Sequence, residues 1–443
     1  MRRVLLVTTS FPPSKYVGAL RIGRFARMLP EFGWDPVVIA GIEPDAGSPP
    51  EWASQVKVVR VPGMFIDKPE APGDGATEPS KSTPLSTAKR LLGPFRSLAR
   101  NCWQLVFDTP DKQIRWTRVA REKALQMARE CHFDAVVTTG PPHSVQLVGQ
   151  YLKRQLGIAW IADFRDPWSR HPWGFRVENP WGQRLRPYFE RSCVRECDLV
   201  ILNTDPMRDE FRAAHPKVPS EKFISIANGC DEIMARAVQT MLQSQPVSQP
   251  GIPHSRSELV RICHPGSLYH TRDPRPIAEA VGIVRQRGWN VRLEQIGNTS
   301  PSFAMEQFLA DRNLSDSFIL SPPVPQSEVH RRMAESDLLL LLQPGTPLQV
   351  PAKLYEMLLF GKPILAVTDE GATADIVNNY GVGVVVRSGN PLSIADALEQ
   401  LILRKSEITN SNGWERSRID FDGKTLTSKL AQALDRTVDR TGK

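Results

Sequence analysis

The residues best suited to chemistry lie in loops that follow short apolar runs. In Pro351-Ala-Lys-Leu-Tyr-Glu356, Lys353 and Glu356 are three positions apart, which puts them on one helical face near its start. A lysine neutralises phosphate and a carboxylate accepts ribose hydroxyls, so the pair suits a nucleoside diphosphate; an exposed ion pair is the plainer alternative. The loop from His264-Pro-Gly266-Ser267 to Arg272-Asp273-Pro274 places Asp273 and Pro274 as the N-cap and first residue of a helix. Arg272 then stands at a helix N-terminus, which suits a pyrophosphate, or is a surface arginine beside a cap. Gly266 permits close backbone approach.

Three further loops sit nearer the N-terminus. His143 in Thr139-Gly-Pro-Pro-His143 ends a strand where it can face a ligand, or is a packing histidine. Asp163, Arg165, Asp166 and Trp168 follow the apolar run at Trp160. Trp168, with Trp173 and Trp181, suits sugar stacking, whereas Trp160 reads as core. Asp163 and Asp166 form either a carboxylate pair or salt bridges to Arg165. Gly18 opens a helix able to receive a phosphate or hydroxyl at its N-terminus. Arg21, Arg24 and Arg27 share a face of that helix, as ligand-facing or solvated residues.

Elements that bring such loops together are legible in the alternation of β-rich runs and amphipathic segments, which implies an α/β protein with parallel sheets and helical crossovers. Strands are expected at 3–9, 36–40, 135–138, 159–163 and 199–202, and, after a Pro/Gly-rich linker at 241–256, at 259–263, 291–296, 318–320, 338–342, 363–367 and 382–386. Helix 19–32 closes at Gly33. The arrangement expected is two doubly wound Rossmann-like domains facing a central cleft, with ligands at the C-terminal strand ends. The first spans 1–240 with an insertion at about 65–112, the second spans 257–412, and 413–443 is a C-terminal helix packing back on the first. Asp420-Phe-Asp422 precedes this helix and reads as surface sequence.

Composition limits the function classes. The 443 residues are 41% hydrophobic and 23% charged, with 56 Lys+Arg against 48 Asp+Glu, a net charge of +8. That is a globular chain whose basicity fits phosphorylated substrates, an anionic membrane surface or nucleic acid. No nucleic-acid-binding motif accompanies the charge. No apolar run approaches the ~20 residues of a membrane span, and Phe11-Pro12-Pro13 interrupts the only signal-like start, so a cytoplasmic location is expected. The six cysteines, Cys193 and Cys197 included, are too scattered for a disulfide framework or zinc site and read as small buried thiols.

An ordered set of short motifs resembles the GT-B glycosyltransferases of family 4, most like bacterial members that build polysaccharide: Ser10-Phe-Pro-Pro…Gly18…Arg21; Thr139-Gly-Pro-Pro-His143; Ala162-Asp-Phe-Arg-Asp-Pro-Trp168; Ile226-Ala-Asn-Gly-Cys-Asp231; Gly266-Ser-Leu…Arg272-Asp-Pro274; and Pro351-Ala-Lys-Leu-Tyr-Glu356…Gly361-Lys-Pro363. The resemblance implies a retaining transfer without catalytic metal or cofactor, from a UDP- or GDP-type sugar donor to a lipid-linked or saccharide acceptor. It implies that Arg272 and Lys353 clamp the diphosphate, Glu356 holds the ribose, and Gly18, Gly266 and Ser267 approach the donor. His143 faces the reacting sugar, and Arg21, Asp163, Arg165, Asp166 and Trp168 line the acceptor side. Family members commonly carry a second glutamate eight positions before Glu356; here Leu348 stands there, and backbone N–H groups of Gly345 and Thr346 are expected to substitute.

Leu348 also fits a second class, a non-catalytic scaffold on the same fold; a nucleotide-sugar epimerase is a third. Lys89, Arg90, Arg96 and Arg100 alternate with Leu91, Leu92, Phe95, Leu98, Trp103 and Phe107. Such a basic amphipathic segment suits either an anionic inner membrane surface or packing on the first domain.

Overall fold

The computed structural model describes residues 1–14, 16–43, 47–63, 108–170, 180–244, 256–269 and 271–442. Two parallel sheets organise them. The first has seven strands, β1 (Arg2–Val7), β2 (Trp34–Gly41), β3 (Lys57–Val61), β4 (Ala135–Gly140), β5 (Ala159–Phe164), β6 (Leu199–Leu202) and β7 (Phe223–Ser225), in the order β3-β2-β1-β4-β5-β6-β7. The second has six, β8 (Val260–His264), β9 (Val291–Ile296), β10 (Phe318–Ser321), β11 (Leu338–Gln343), β12 (Ile364–Thr368) and β13 (Gly383–Val386), in the order β10-β9-β8-β11-β12-β13. All pairings are parallel. Central strands such as Val4–Val7 and Leu338–Leu342 are buried along their length, as helices covering both faces of a parallel sheet require. The expected α/β class with two doubly wound sheets is therefore present. Strands β3 and β7, which the sequence reading lacks, are the two edges of the first sheet, short and only partly buried.

The chain divides into two compact units. One comprises the described residues up to Asn228 together with those from Gly423 onward; the other is Gly229–Asp422. The boundaries thus fall at 228/229 and 422/423, where the sequence reading puts them at 240 and 412. Helix Glu232–Ser244 belongs to the second unit, which the preceding segment joins through Cys230 N–H on the Phe421 carbonyl at 2.9 Å. Helix Gly413–Asp420 stays with the second unit, and Asp420 accepts from the Tyr380 hydroxyl at 2.7 Å.

Helix Gly423–Thr441 returns to the first unit. Leu426, Leu430 and Leu434 join Leu6, Ile22, Phe25 and Val38 in its core. Arg2 reaches Asp435 at 3.0 Å and Asp439 at 2.7 Å from the start of β1. Helix Val17–Met28 is followed by a 3-10 turn, Leu29–Phe32, which ends at Gly33 with φ +83°, a conformation glycine adopts without a Cβ penalty. Arg24 of this helix is buried, over the Phe25 ring at 5.3 Å, so of the two alternatives for this face the solvated one does not hold there.

The thiols of Cys193, Cys197, Cys230 and Cys263 are buried, whereas Cys131 is half-exposed; burial pushes the Cys197 and Cys263 thiols up to about 12. Cys102, the basic segment 89–107, Trp173 and the Trp181 side chain lie outside the described residues. Among those described, no helix is long and apolar enough to cross a membrane.

Candidate active site

In the second unit, β8 and β11 run side by side with Cys263 opposite Leu339. This register sets His264 beside Leu340, whose carbonyl accepts from His264 Nδ1 at 2.8 Å. Burial pushes the His264 imidazole down to about 3, so the ring is neutral and Nε2 carries a lone pair. The chain then turns through Gly266, whose carbonyl accepts from Gln295 Nε2 at 2.7 Å. A Cβ on Gly266 would lie 3.0 Å from Lys353 Nζ and 3.2 Å from His264 Nε2. The glycine is thus the close approach that its place in the loop implied.

Lys353 and Glu356 occupy the helix Ala352–Leu358. Lys353 Nζ donates to the Pro265 carbonyl. Burial holds the ammonium below its ordinary value, the nearby Glu356 opposing and Arg272 adding to the shift. The Arg272 guanidinium is braced by Gln343 Oε1 at 2.6 Å and the Tyr269 hydroxyl at 3.2 Å, and lies over the Tyr269 ring at 4.9 Å. Burial works to raise the Glu356 carboxyl, but donation from His330, its charge, Gln326 and Lys353 together hold it below the usual carboxylate range. Two cations, a neutral imidazole and an ionised carboxylate therefore gather at the C-terminal ends of the second sheet, suited to a diphosphate attached to a hydroxylated group.

Two expectations for this unit need correction. The helix after Arg272 starts at Arg275; Asp273 accepts from the Arg275 N–H at 3.0 Å, and Pro274 takes the cap position. Gly345 N–H already donates to Asp369 at 2.7 Å, and the Thr346 hydroxyl, itself buried, accepts from Gln343 Nε2 at 2.7 Å. These groups brace the loop, and Gly345 N–H is not left to replace the glutamate absent at Leu348. Ser267 Oγ accepts from the Asn298 N–H at 3.3 Å.

The first unit gathers its singled-out residues at β4 and β5. Thr139 and Asp163 are register partners, so the Thr139 hydroxyl donates to Asp163 at 2.7 Å. Arg21 Nη2 and Nε reach the same carboxylate at 2.9 and 3.2 Å, while Arg21 Nη1 donates to the Ala227 carbonyl at 2.6 Å. Both side chains are buried, at 3% and 2% exposure. Arg21 and Asp163 therefore tie β5 and the 227–228 segment to the first helix instead of facing an acceptor. Trp168 is likewise buried, its ring 5.3 Å from His143 and 6.3 Å from Phe189; it packs the His143 loop and offers no open stacking face.

Arg165 donates to the Pro141 and Gly140 carbonyls, and a Cβ on Gly18 would fall inside its guanidinium. The space at Gly18 expected to admit donor phosphates is thus filled by Arg165. Asp166 lies close enough to support the Arg165 charge, which burial otherwise disfavours. His143 begins the turn His143–Val145, between Phe164 and Trp168. Asp111, absent from the sequence reading, sets that turn by accepting from Ser144 N–H at 2.8 Å and Oγ at 2.7 Å. Gln343, Gln326 and His330 also escaped it, and His264 entered only as the start of its loop. Only His264 carried a local signal, its place at a strand end.

Two doubly wound parallel sheets, one ending in a cationic loop cluster with a carboxylate, are the architecture of a GT-B glycosyltransferase. Residues 18–229 match the glycosyl transferase 4-like domain and residues 260–404 the glycosyl transferases group 1; the chain belongs to this glycosyltransferase family and is a transferase. A glycosyltransferase from Rickettsia africae superposes with a TM-score of 0.61 at 11% identity, covering 98% of each chain. Sucrose-phosphate synthase from Thermosynechococcus elongatus has a TM-score of 0.61 at 13% identity, over 98% of this chain and 99% of that one. Anabaena HepE, in complex with UDP, has 0.61 at 15%, over 98% and 100%. These likenesses show the fold. No curated protein matches the sequence.

Proposed function

We propose that the enzyme transfers a hexose from a UDP- or GDP-sugar to a lipid-linked or saccharide acceptor, with retention at the anomeric carbon and without a metal or other cofactor, in the assembly of a polysaccharide. The observation that carries this reading is the gathering of Arg272, Lys353 and Glu356 around the Gly266 loop. As the sugar–phosphate bond breaks, negative charge grows on the leaving diphosphate. The Lys353 ammonium and the braced Arg272 guanidinium stabilise that charge from fixed positions, while Glu356 holds the ribose. Because His264 stays neutral, it adds no repulsion to either cation. In this reading the first unit receives the acceptor; its His143, set by Asp111 through Ser144, is 4% exposed between Phe164 and Trp168.

The Anabaena neighbour was solved with UDP and with UDP-glucose, which makes these the first ligands to try. The test is incubation with UDP-, GDP- and dTDP-sugars, with and without a polyprenyl-phosphate or oligosaccharide acceptor, repeated in EDTA. Absence of nucleotide-dependent binding or turnover with every donor refutes the reading; loss of turnover in EDTA refutes metal independence. Lys353→Ala and Arg272→Ala are each expected to weaken nucleotide binding about tenfold to a hundredfold.

A second reading has its own support. Leu348 replaces an acidic residue common in the family, and Gly345 N–H is engaged by Asp369. Nucleotide binding without transfer or hydrolysis would favour a non-catalytic scaffold. Flotation with anionic vesicles tests a peripheral membrane location, which the pattern of residues 89–107 supports.

A further inference from the structure

The Glu356 carboxylate offers about four lone-pair directions, two on each oxygen. Among the described residues, two donors reach it and both end on Oε1: Gln326 Nε2 at 3.2 Å and His330 Nε2. These residues lie on the helix Gln326–Glu335, with Gln326 at its first position. His330 is buried, and its ring stands edge-on to Phe360 at 5.6 Å, so the imidazole is held by packing as well as by its hydrogen bond. Lys353, one turn earlier than Glu356, is directed to the Pro265 carbonyl. Among the described residues the carboxylate is therefore pinned through one oxygen, and the two lone pairs of Oε2 remain for a ligand.

We propose that His330 and Gln326 are positioning residues that present Glu356 Oε2 to a vicinal pair of hydroxyls, making the site selective for a ribonucleotide over its 2′-deoxy form. This rests on the reading of Glu356 as the ribose ligand. Two hydroxyl donors complete the carboxylate's four acceptor directions. A deoxyribose supplies one and leaves a part-buried anionic lone pair unmatched. Without His330 the carboxylate loses the contact that fixes its rotamer, and the diol no longer meets a prepared acceptor.

The experiment measures calorimetric dissociation constants of UDP, 2′-deoxy-UDP, GDP and 2′-deoxy-GDP on the full chain. Wild type is expected to favour the ribonucleotide by about tenfold or more. Glu356→Gln and His330→Phe should each bring that preference below about threefold, by weakening the ribonucleotide more than the deoxy form. His330→Gln, which keeps an N–H donor, should restore most of the preference. A general packing defect would weaken both forms alike. If Glu356→Gln removes the preference and His330→Phe does not, the inference is overturned while the ribose reading stands. If Glu356→Gln leaves it intact, or wild type shows none, the ribose reading falls and the inference with it. Should His330→Phe fail to fold, Gln326→Ala is expected to lower the preference at least about twofold, and an unchanged preference there overturns the inference.

Discussion

Asp163→Asn removes the negative charge opposite Arg21 while keeping the shape of the side chain. In the folded protein the carboxylate receives Arg21 at 2.9 and 3.2 Å and Thr139 at 2.7 Å, with almost no access to water. Breaking a buried pair by removing one partner costs about 3–5 kcal/mol, because the surviving charge is left uncompensated. Here the Ala227 carbonyl at 2.6 Å and Asn228 at 3.4 Å continue to solvate the guanidinium, which places the expected loss near the lower limit, about 3 kcal/mol. That loss corresponds to roughly a hundredfold. The readout is hydrogen exchange of β4 and β5 amides, which samples the first unit without assuming that the whole chain unfolds in one step. Protection should fall by about two orders of magnitude. Arg21→Leu should cost at least as much, since it strands the carboxylate. The Arg21→Leu/Asp163→Asn double variant should be no worse than either single one, giving a coupling of at least about 3 kcal/mol. A loss below about fivefold in Asp163→Asn, or additive effects in the cycle, would refute the assignment of this pair as a mutually dependent brace.

Three further outcomes are expected. Folding keeps His264 neutral to about pH 3, whereas the unfolded chain protonates it as pH falls below 6.5; the unfolded state then binds the extra proton. Second-unit stability is accordingly full above 6.5 and falls as pH drops from 6.5 toward about 3, by up to about 1.4 kcal/mol per pH unit, and His264→Phe should flatten that slope in urea titrations before most carboxylates titrate. Gly18→Ala, in a helix where alanine ordinarily stabilises, should instead destabilise the first unit by about 1–3 kcal/mol because of Arg165; the same change in an Arg165→Ala background should be neutral or stabilising by thermal melting. Leu430→Ala, at a core position 1% exposed, should cost about 2–5 kcal/mol, read as lost exchange protection of β1 and β2 with little change in β8 and β11.

Most of the fold was legible because parallel strands buried on both faces are written as unbroken apolar runs, as in Val4–Val7 and Leu338–Leu342. Edge strands escape that signal: Lys57-Val-Val-Arg-Val61 is half-exposed and Phe223–Ser225 has three residues. In the site, the Lys353–Glu356 spacing was legible because helical periodicity is local. The residues that hold the site are distant in sequence: Gln343 lies 71 positions from Arg272, His330 26 from Glu356, and Asp111 33 from Ser144. No period connects them, and only the crossovers of the sheets bring them together. Asp163 and Arg21, 142 positions apart, looked like separate ligand-facing charges for the same reason. The arginines of the first helix did not share one environment: Arg21 is buried on Asp163 and Arg24 is buried over Phe25, while Arg27 stays half-exposed over Trp52.

That late helix has a consequence for biosynthesis. The strands of the first unit are made early, but their apolar seat for Leu426, Leu430 and Leu434 stays vacant until the roughly 190 intervening residues have been translated, about 10–40 s at ordinary elongation rates. For that interval the nascent chain carries an unfilled greasy groove, a ready target for a ribosome-associated chaperone, while the intervening unit is contiguous and can fold as soon as it emerges. A stalled or prematurely terminated product would therefore leave its earliest-made half the less finished one.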